Sequence, residues 1–172
     1  MQELLVKIIA DGLVVPIVLI GAAALLLYVP NNQKYQAYCR ILMAGLTAYI
    51  VAKLIGAVFQ PEVMRPFEKL GTEAGASFLN NPGFPSDHVL FCMAITLAVW
   101  FEAKKKLVSV ILLGLTLLVG IGRILALVHT PLDVLGGLVI ACVGIPWYFQ
   151  RETIKPLVVR HQARKKHKKH VK

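Results

Sequence analysis

The sequence contains few of the residues that build metal centres or disulfide frameworks. Only three cysteines occur in 172 residues: Cys39, Cys92 and Cys142. They are dispersed and odd in number, and most of them lie inside apolar runs. Their spacing therefore matches neither a zinc site nor a disulfide framework. We interpret them as small side chains buried in a membrane-embedded protein.

The N-terminal residues lack the pattern of a cleavable signal peptide, because Asp11 and Gly12 interrupt the apolar run early. Residues 1–11 instead predict a short amphipathic helix that lies at the membrane interface. Its apolar face is formed by Leu4, Leu5, Ile8 and Ile9.

Hydrophobic residues make up 57% of the chain, whereas soluble domains are roughly 45–50% apolar. They are bunched into long runs, which favours a membrane protein over an enlarged soluble core. The runs predict five transmembrane helices, at about 13–29, 41–59, 86–101, 107–127 and 132–149. The predicted fold class is therefore an all-α integral membrane protein, with residues 1–150 as one transmembrane domain.

The net charge of +10 is concentrated at one end of the chain. Residues 151–172 contain nine Lys or Arg residues and one Glu. In a polytopic membrane protein such a run favours a cytoplasmic tail that faces anionic lipid, rather than a nucleic-acid site. The three tail histidines, at positions 161, 167 and 170, have no Cys or acidic residues beside them that suit a metal site.

The same rule predicts the orientation of the helices. With the tail in the cytoplasm, the 30–40 link and the 102–106 turn fall on the same side. Together these segments hold fourteen of the nineteen Lys and Arg residues. The 60–84 loop and the 123–130 segment then meet at the extracytoplasmic end of the bundle, which is where we predict the functional site.

Ionisable residues at membrane depth are energetically expensive and mark functional sites. Arginine donates two parallel hydrogen bonds to phosphate, and histidine serves as nucleophile, acid or base near neutral pH. Such a set suits phosphoryl transfer without a metal, since a zinc site uses more neutral ligands and fewer cations. The residues concerned are Lys53, Arg65, His88, Arg123, His129 and Asp133.

Two of these residues lie where local helix signals are strong. Thr130 is a plausible N-cap, and Asp133 at the third helical position completes a capping box. Asp133 could act only as a helix cap, and His129 could be an interfacial histidine whose hydrogen bonds are satisfied. Helix capping, however, does not explain Arg123, which lies six residues before His129. Ser86 likewise predicts an N-cap of the third span, whose N–H groups would point at a bound anion.

Three stretches together resemble the signature of the type-2 phosphatidic acid phosphatase superfamily, the membrane lipid phosphatases related to vanadium haloperoxidases. The family pattern is a lysine ahead of Arg-Pro, then Pro-Ser-Gly-His, then Ser-Arg, five residues, His, three residues and Asp. The matching residues, within about 50–140, are Arg65-Pro66, Pro85-Ser86-Asp87-His88, Arg123, His129 and Asp133.

The resemblance implies a role for each matching residue. His129 would attack phosphorus and form a phosphohistidine, Asp133 would orient it, and His88 would protonate the leaving oxygen and then help to activate water. The phosphate oxygens would be held by Arg65, Arg123, Lys53 and Ser86 with backbone N–H groups. The resemblance implies no metal and no cofactor.

The chain departs from the family pattern at three positions. Val58 stands where the family has its lysine, and Lys53 lies twelve residues before Arg65 instead. Gly122 replaces the serine before the arginine, and Asp87 replaces a glycine beside the predicted anion site. An acid there would repel the substrate unless it points away, pairs with a cation or interacts with the helix N-terminus.

The stretch "PSDH" resembles the bacterial undecaprenyl-diphosphate phosphatase branch of the superfamily. We therefore expect a phosphatase of the cell membrane that acts on a polyprenyl diphosphate at the extracytoplasmic face. Phosphatidic acid and phosphatidylglycerol phosphate are alternative substrates. A non-catalytic binder or transporter of anionic lipids is the alternative from another class, because it would use the same cations without the His129–Asp133 pair.

Overall fold

A computed structural model describes residues 2–79 and 83–150, so the predicted basic tail lies outside the described residues. The described part of the chain contains helices and no strand, which confirms the all-α part of the predicted fold class. Four of its helices are long and apolar enough to cross a membrane. They span Glu3–Tyr28, Asn31–Val58, Lys106–Leu125 and Pro131–Phe149.

The helices are numbered in chain order. They are α1 (Gln2–Lys7), α2 (Val14–Tyr28), α3 (Lys34–Val58), α4 (Pro66–Leu70), α5 (Asp87–Ala98), α6 (Lys106–Leu125), α7 (Pro131–Ala141) and α8 (Pro146–Phe149). Between them lie π-helical turns at Ile8–Gly12 and Val99–Ala103, and 3₁₀ turns at Asn31–Gln33 and Cys142–Gly144. The short helix α4 lies inside the stretch that the sequence predicts as a loop.

The N-terminal helix continues into the first span. Asp11 and Gly12, which predict a break, lie in the π-helical turn between α1 and α2. The prediction of a separate short helix was wrong in this respect, because backbone hydrogen bonds such as Leu13 N–H to Ile8 O carry the helix through the turn. Its location at the membrane interface stays a prediction.

The second span begins earlier than its apolar run predicts. Helix α3 starts at Lys34 and includes most of the residues predicted as a polar link. The charge of Arg40 is accommodated in this helix because its guanidinium forms two hydrogen bonds, of 2.7 and 2.8 Å, with the buried carboxylate of Glu102. This bidentate pair joins α3 to the π-helical turn that follows α5.

Helix α5 lies at the centre of the bundle and packs against α2, α3, α6 and α7. It has 12 residues, and the π-helical turn that continues it has 5. Together they are shorter than each of the four helices that are long enough to cross a membrane, so the count of five spans stays a prediction.

Gly137 allows α7 to approach α5 closely, since a Cβ there would lie 2.8 Å from Ser86 O. The starts of α5 and α7 are thereby held together.

Candidate active site

The three sequence stretches meet at one end of the bundle. A cleft there contains five of the eight predicted site residues, and the other three, Lys53, Ser86 and Asp133, contact its walls. The cleft is lined by Arg65, Leu79, Gly83, Pro85, Asp87, His88, Arg123 and His129. Residues far apart in sequence thus share one small polar cavity, as the constellation predicts.

His129 lies in a tight turn between α6 and α7 and is only 5% exposed. The backbone N–H groups of Val128 and His129 both donate to Arg123 O at 3.3 Å. Leu127 adopts the left-handed region, with φ of 58°, so that the chain can reverse within a few residues. The turn fixes the imidazole at the edge of the cleft.

The loop after α3 holds this turn from outside. Phe67 N–H donates to Leu127 O and Gly75 N–H donates to Ala126 O, each at 3.0 Å. These two hydrogen bonds are made by the stretch that contains α4. Although it is largely irregular, this loop therefore forms part of the framework of the site.

The capping box predicted at the start of α7 is confirmed. Thr130 is the N-cap, and its hydroxyl accepts a hydrogen bond from Asp133 N–H at 3.2 Å. Asp133 Oδ2 accepts the return hydrogen bond from Thr130 N–H at 2.7 Å. The same oxygen lies 3.5 Å from His129 Nδ1. Asp133 thus both caps the helix and faces the imidazole, so the two readings of this residue are compatible.

The surroundings of His129 favour a neutral imidazole. Burial lowers its pKa below the usual 6.5, and the nearby charges of Arg123 and Arg65 act in the same direction, while the Asp133 carboxylate opposes them. Because Nδ1 faces Asp133, Nε2 is the ring nitrogen left to react. A buried, neutral histidine beside a carboxylate has the features of a nucleophile.

Ser86 occupies the predicted N-cap position of α5, but its side chain makes no capping hydrogen bond. Its backbone N–H donates to Asp133 O at 3.0 Å. The hydroxyl is completely buried and bonds to no atom of the described residues. The predicted capping by the hydroxyl is therefore wrong, because the backbone of Ser86 is anchored to α7 instead. A buried hydroxyl without a protein partner fits contact with a ligand.

Arg65 precedes α4 and is 7% exposed. Its guanidinium donates to Val128 O at 2.6 Å and to Leu79 O at 3.1 Å. Burial lowers its pKa from its usual value, and the carboxylates of Asp133, Glu68 and Asp87 oppose this shift. The guanidinium remains charged, since arginine keeps its proton in proteins. Arg65 thus brings a fixed cation to the cleft and ties it to the turn that carries His129.

Arg123 lies in the last turn of α6 and is 1% exposed. Its Nη1 donates to Asp11 Oδ1 at 2.7 Å. Its Nε is buried and bonds to nothing in the described part of the chain. Asp11 was missed as a site residue, although its charge within an apolar run was the signal that could have identified it.

The glycine before Arg123 has a structural explanation. A Cβ at Gly122 would lie 2.7 Å from Ala10 N and 2.9 Å from Ala10 Cα. A serine in that position would push the N-terminal π-helical turn away from α6. Gly122 thus makes room for the segment that carries Asp11.

Lys53 and Asp87 form the second ion pair of the site. Lys53 Nζ lies 2.8 Å from both carboxylate oxygens of Asp87. This pair accounts for an acid beside a predicted anion site, because a cation balances its charge. It also brings Lys53 to the cleft wall despite its unusual position in the sequence.

Among the described residues, no group of three or more His, Cys, Asp or Glu side chains is arranged to hold a metal ion.

Comparison with known proteins identifies the family of the chain. The profile of the PAP2 superfamily matches residues 34–154, and the chain belongs to that superfamily. A curated relative is Undecaprenyl-diphosphatase BcrC of Bacillus subtilis (strain 168), with 31% identity over 130 residues. That match covers 74% of this chain and 64% of the relative, which is less than two thirds of the relative's length. No solved structure matches significantly.

Proposed function

We propose that the protein is a metal-independent membrane phosphatase that hydrolyses a polyprenyl diphosphate, with undecaprenyl diphosphate as the preferred substrate. The observation that carries the proposal is a cleft lined by two arginines, with a buried histidine at its edge, that adjoins a large apolar groove. Membership in the superfamily supports the reaction class. The likeness to an undecaprenyl-diphosphatase supports the choice of lipid.

The reaction has two steps. In the first, His129 Nε2 attacks the terminal phosphorus, the bond from phosphorus to the bridging oxygen breaks, and His88 donates its proton to that oxygen. The products are a phosphohistidine and the lipid monophosphate. In the second, His88 takes a proton from water, the water oxygen attacks phosphorus, and the bond to His129 breaks. Inorganic phosphate leaves and both histidines return to their starting states.

Arginine side chains and the Ser86 hydroxyl would stabilise the negative charge that develops on the phosphate oxygens during both steps. Arg65 and the buried Nε–H of Arg123 would hold equatorial phosphate oxygens, and the Ser86 hydroxyl would donate to another. These groups are already fixed by their protein contacts, so little reorganisation accompanies the reaction. Asp133 would hold His129 by Nδ1 and stabilise its positive charge when it is phosphorylated. Lys53 would balance the negative charge of Asp87 at the cleft wall.

The apolar groove is where the lipid chain would lie. It has a volume of about 630 Å³ and is lined by residues of α2, α3 and α5, including Leu25, Leu42, Gly45 and Phe91. Leu79 and Asp87 line both the groove and the polar cleft. A molecule with an anionic head and an apolar tail can therefore occupy both. Another apolar cavity, of about 210 Å³ beside Trp100, shares no residue with the cleft.

A substrate panel tests the reaction and the lipid. Purified protein in detergent is expected to release phosphate from undecaprenyl diphosphate faster than from phosphatidylglycerol phosphate or phosphatidic acid, and EDTA is expected to leave the rates unchanged. A preference for a glycerolipid would correct the substrate. Binding of these lipids without any phosphate release would favour an anionic-lipid binder, and a rate abolished by EDTA would contradict the metal-free mechanism.

Filling the groove tests where the lipid chain lies. No atom of the described residues lies within 4 Å of a Cβ built on Gly45, so Gly45→Phe is expected to project a ring into the groove without a clash. We expect KM for undecaprenyl diphosphate to rise about tenfold, which corresponds to about 1.4 kcal/mol. A short prenyl diphosphate, which leaves the groove mostly empty, is expected to be hydrolysed at the wild-type rate.

Gly114→Phe is the matched control. Gly114 lies on α6, is exposed, lines none of these cavities, and likewise has no neighbour within 4 Å of a built Cβ among the described residues. It should leave both substrates unaffected. Equal effects of the two variants, or no effect of Gly45→Phe on the long substrate, would show that the chain lies elsewhere.

A further inference from the structure

We propose that Asp11 is a positioning residue that holds Arg123 and competes with phosphate for it. The proposal rests on the proposed phosphatase function. Asp11 lies outside residues 34–154, the part of the chain that matches the superfamily profile. Its role therefore does not come from the three sequence stretches, and it rests on contacts in the structure.

The first contact is with the buried arginine. Asp11 Oδ1 lies 2.7 Å from Arg123 Nη1, and the Arg123 side chain is 1% exposed, whereas that of Asp11 is 22% exposed. A buried guanidinium without a counter-ion is costly, by several kcal/mol. Asp11 supplies that counter-ion from the more accessible side. The charge of the arginine that would bind phosphate is thus balanced within the protein.

The second set of contacts fixes the carboxylate. Asp11 Oδ2 accepts a hydrogen bond from Ser77 N–H at 2.9 Å. The π-helical turn that carries Asp11 packs on α6 at Gly122, where no side chain separates the two backbones. Asp11 is therefore held on one side by the loop after α4 and on the other by α6. It cannot swing away from Arg123 without leaving these contacts.

The position of Asp11 has a consequence for ligand binding. Asp11 Oδ1 also lies 4.0 Å from His88 Nε2, so the carboxylate is close to both the residue assigned to the phosphate and the residue assigned to proton transfer. A phosphate group bound by Arg123 would come close to this negative charge, and like charges repel. Asp11 would then weaken the binding of inorganic phosphate and help it to leave.

Asp11→Asn tests the competition. The amide keeps the size of the side chain and removes its charge. We expect the inhibition constant of inorganic phosphate and the KM for undecaprenyl diphosphate each to fall about tenfold, a change of about 1.4 kcal/mol. We expect kcat to fall as well, because phosphate leaves more slowly. A purely structural role would predict the opposite change in KM, since a disturbed site binds its substrate less well.

Two further variants complete the experiment. Glu3→Gln removes a negative charge from the same N-terminal helix at an exposed position and should leave the inhibition constant unchanged. Asp11→Glu retains the charge and should keep weak phosphate binding even if Asp11→Asn folds poorly. An inhibition constant for Asp11→Asn that is unchanged or higher would overturn the proposal, as would an Asp11→Glu protein that binds phosphate tightly.

Direct titration of inorganic phosphate separates this proposal from the proposed function. The titration needs no turnover, so it reports on the Asp11–Arg123 contact even if none of the lipids is hydrolysed. If the wild-type protein has no phosphatase activity and Asp11→Asn binds phosphate more tightly than the wild type does, the competition is supported and the enzymatic function is rejected. Equal phosphate binding by Asp11→Asn and an active wild-type protein would reject only the competition.

Discussion

His129→Ala is expected to abolish phosphate release from undecaprenyl diphosphate, with a loss of about 10⁴-fold or more in kcat. The variant removes the nucleophile, and the remaining cations can bind the diphosphate but cannot form the covalent intermediate. Substrate binding, measured separately, should therefore persist. A rapid acid or alkaline quench of wild-type protein with terminally labelled substrate should show an alkali-stable, acid-labile phosphoprotein, which His129→Ala should lack.

The pH dependence provides an independent check of the same residue. Burial lowers the pKa of His129, so the imidazole stays unprotonated at pH values somewhat below its usual 6.5. Activity that depends on the free base is lost as pH falls through the lowered pKa, and is retained above it. The acid limb of kcat/KM is therefore expected below pH 6.5. A His129→Ala protein with wild-type turnover, or an acid limb well above pH 6.5, would contradict the assignment.

Asp133→Asn is expected to give the second largest loss, about 10²- to 10⁴-fold in kcat. The amide has nearly the same shape as the carboxylate and its oxygen can still accept from Thr130 N–H. It carries no charge, however, so it cannot stabilise the imidazolium that forms when His129 is phosphorylated. The KM should change little, because Asp133 lies behind the nucleophile and does not line the cleft.

Thr130→Ala distinguishes this role from helix capping. It removes the hydroxyl that accepts from Asp133 N–H and leaves the carboxylate in place. We expect it to lower the free energy of unfolding by about 1 kcal/mol while retaining most of the turnover. If Thr130→Ala loses as much activity as Asp133→Asn, then the capping box accounts for the effect and the positioning role is wrong.

The sequence predicted the helical class and the convergence of the three stretches, because both follow from strong local signals. Long apolar runs predict spans, and the Thr130–Asp133 capping box is a short-range contact that spacing alone defines. The helix boundaries were close for the same reason. The start of α3 was the exception, since Arg40 needs Glu102, a partner 62 residues away, and such a partner cannot be read from periodicity.

The ion pairs of the site could not be predicted for the same physical reason. Asp11 and Arg123 are 112 residues apart, and only the packing of the π-helical turn on Gly122 brings them together. Lys53 and Asp87 pair across two helices, which explains the acid that looked misplaced in the sequence. The resemblance to the superfamily correctly identified the family. The roles of the individual residues stay predictions until the variants are measured.

The shortness of α5 has a consequence for the surrounding bilayer. Its 12 α-helical and 5 π-helical residues reach about 25 Å at roughly 1.5 Å per residue, against about 30 Å for the hydrocarbon core of a typical bilayer. Its neighbour α3 has 25 residues and reaches about 38 Å by the same measure. Where the exposed side chains of Phe91 and Trp100 face lipid, we expect the lipids to compress to meet the ends of α5. Water would thereby come nearer to Ser86 and His88, and the substrate headgroup would travel a shorter distance to the cleft.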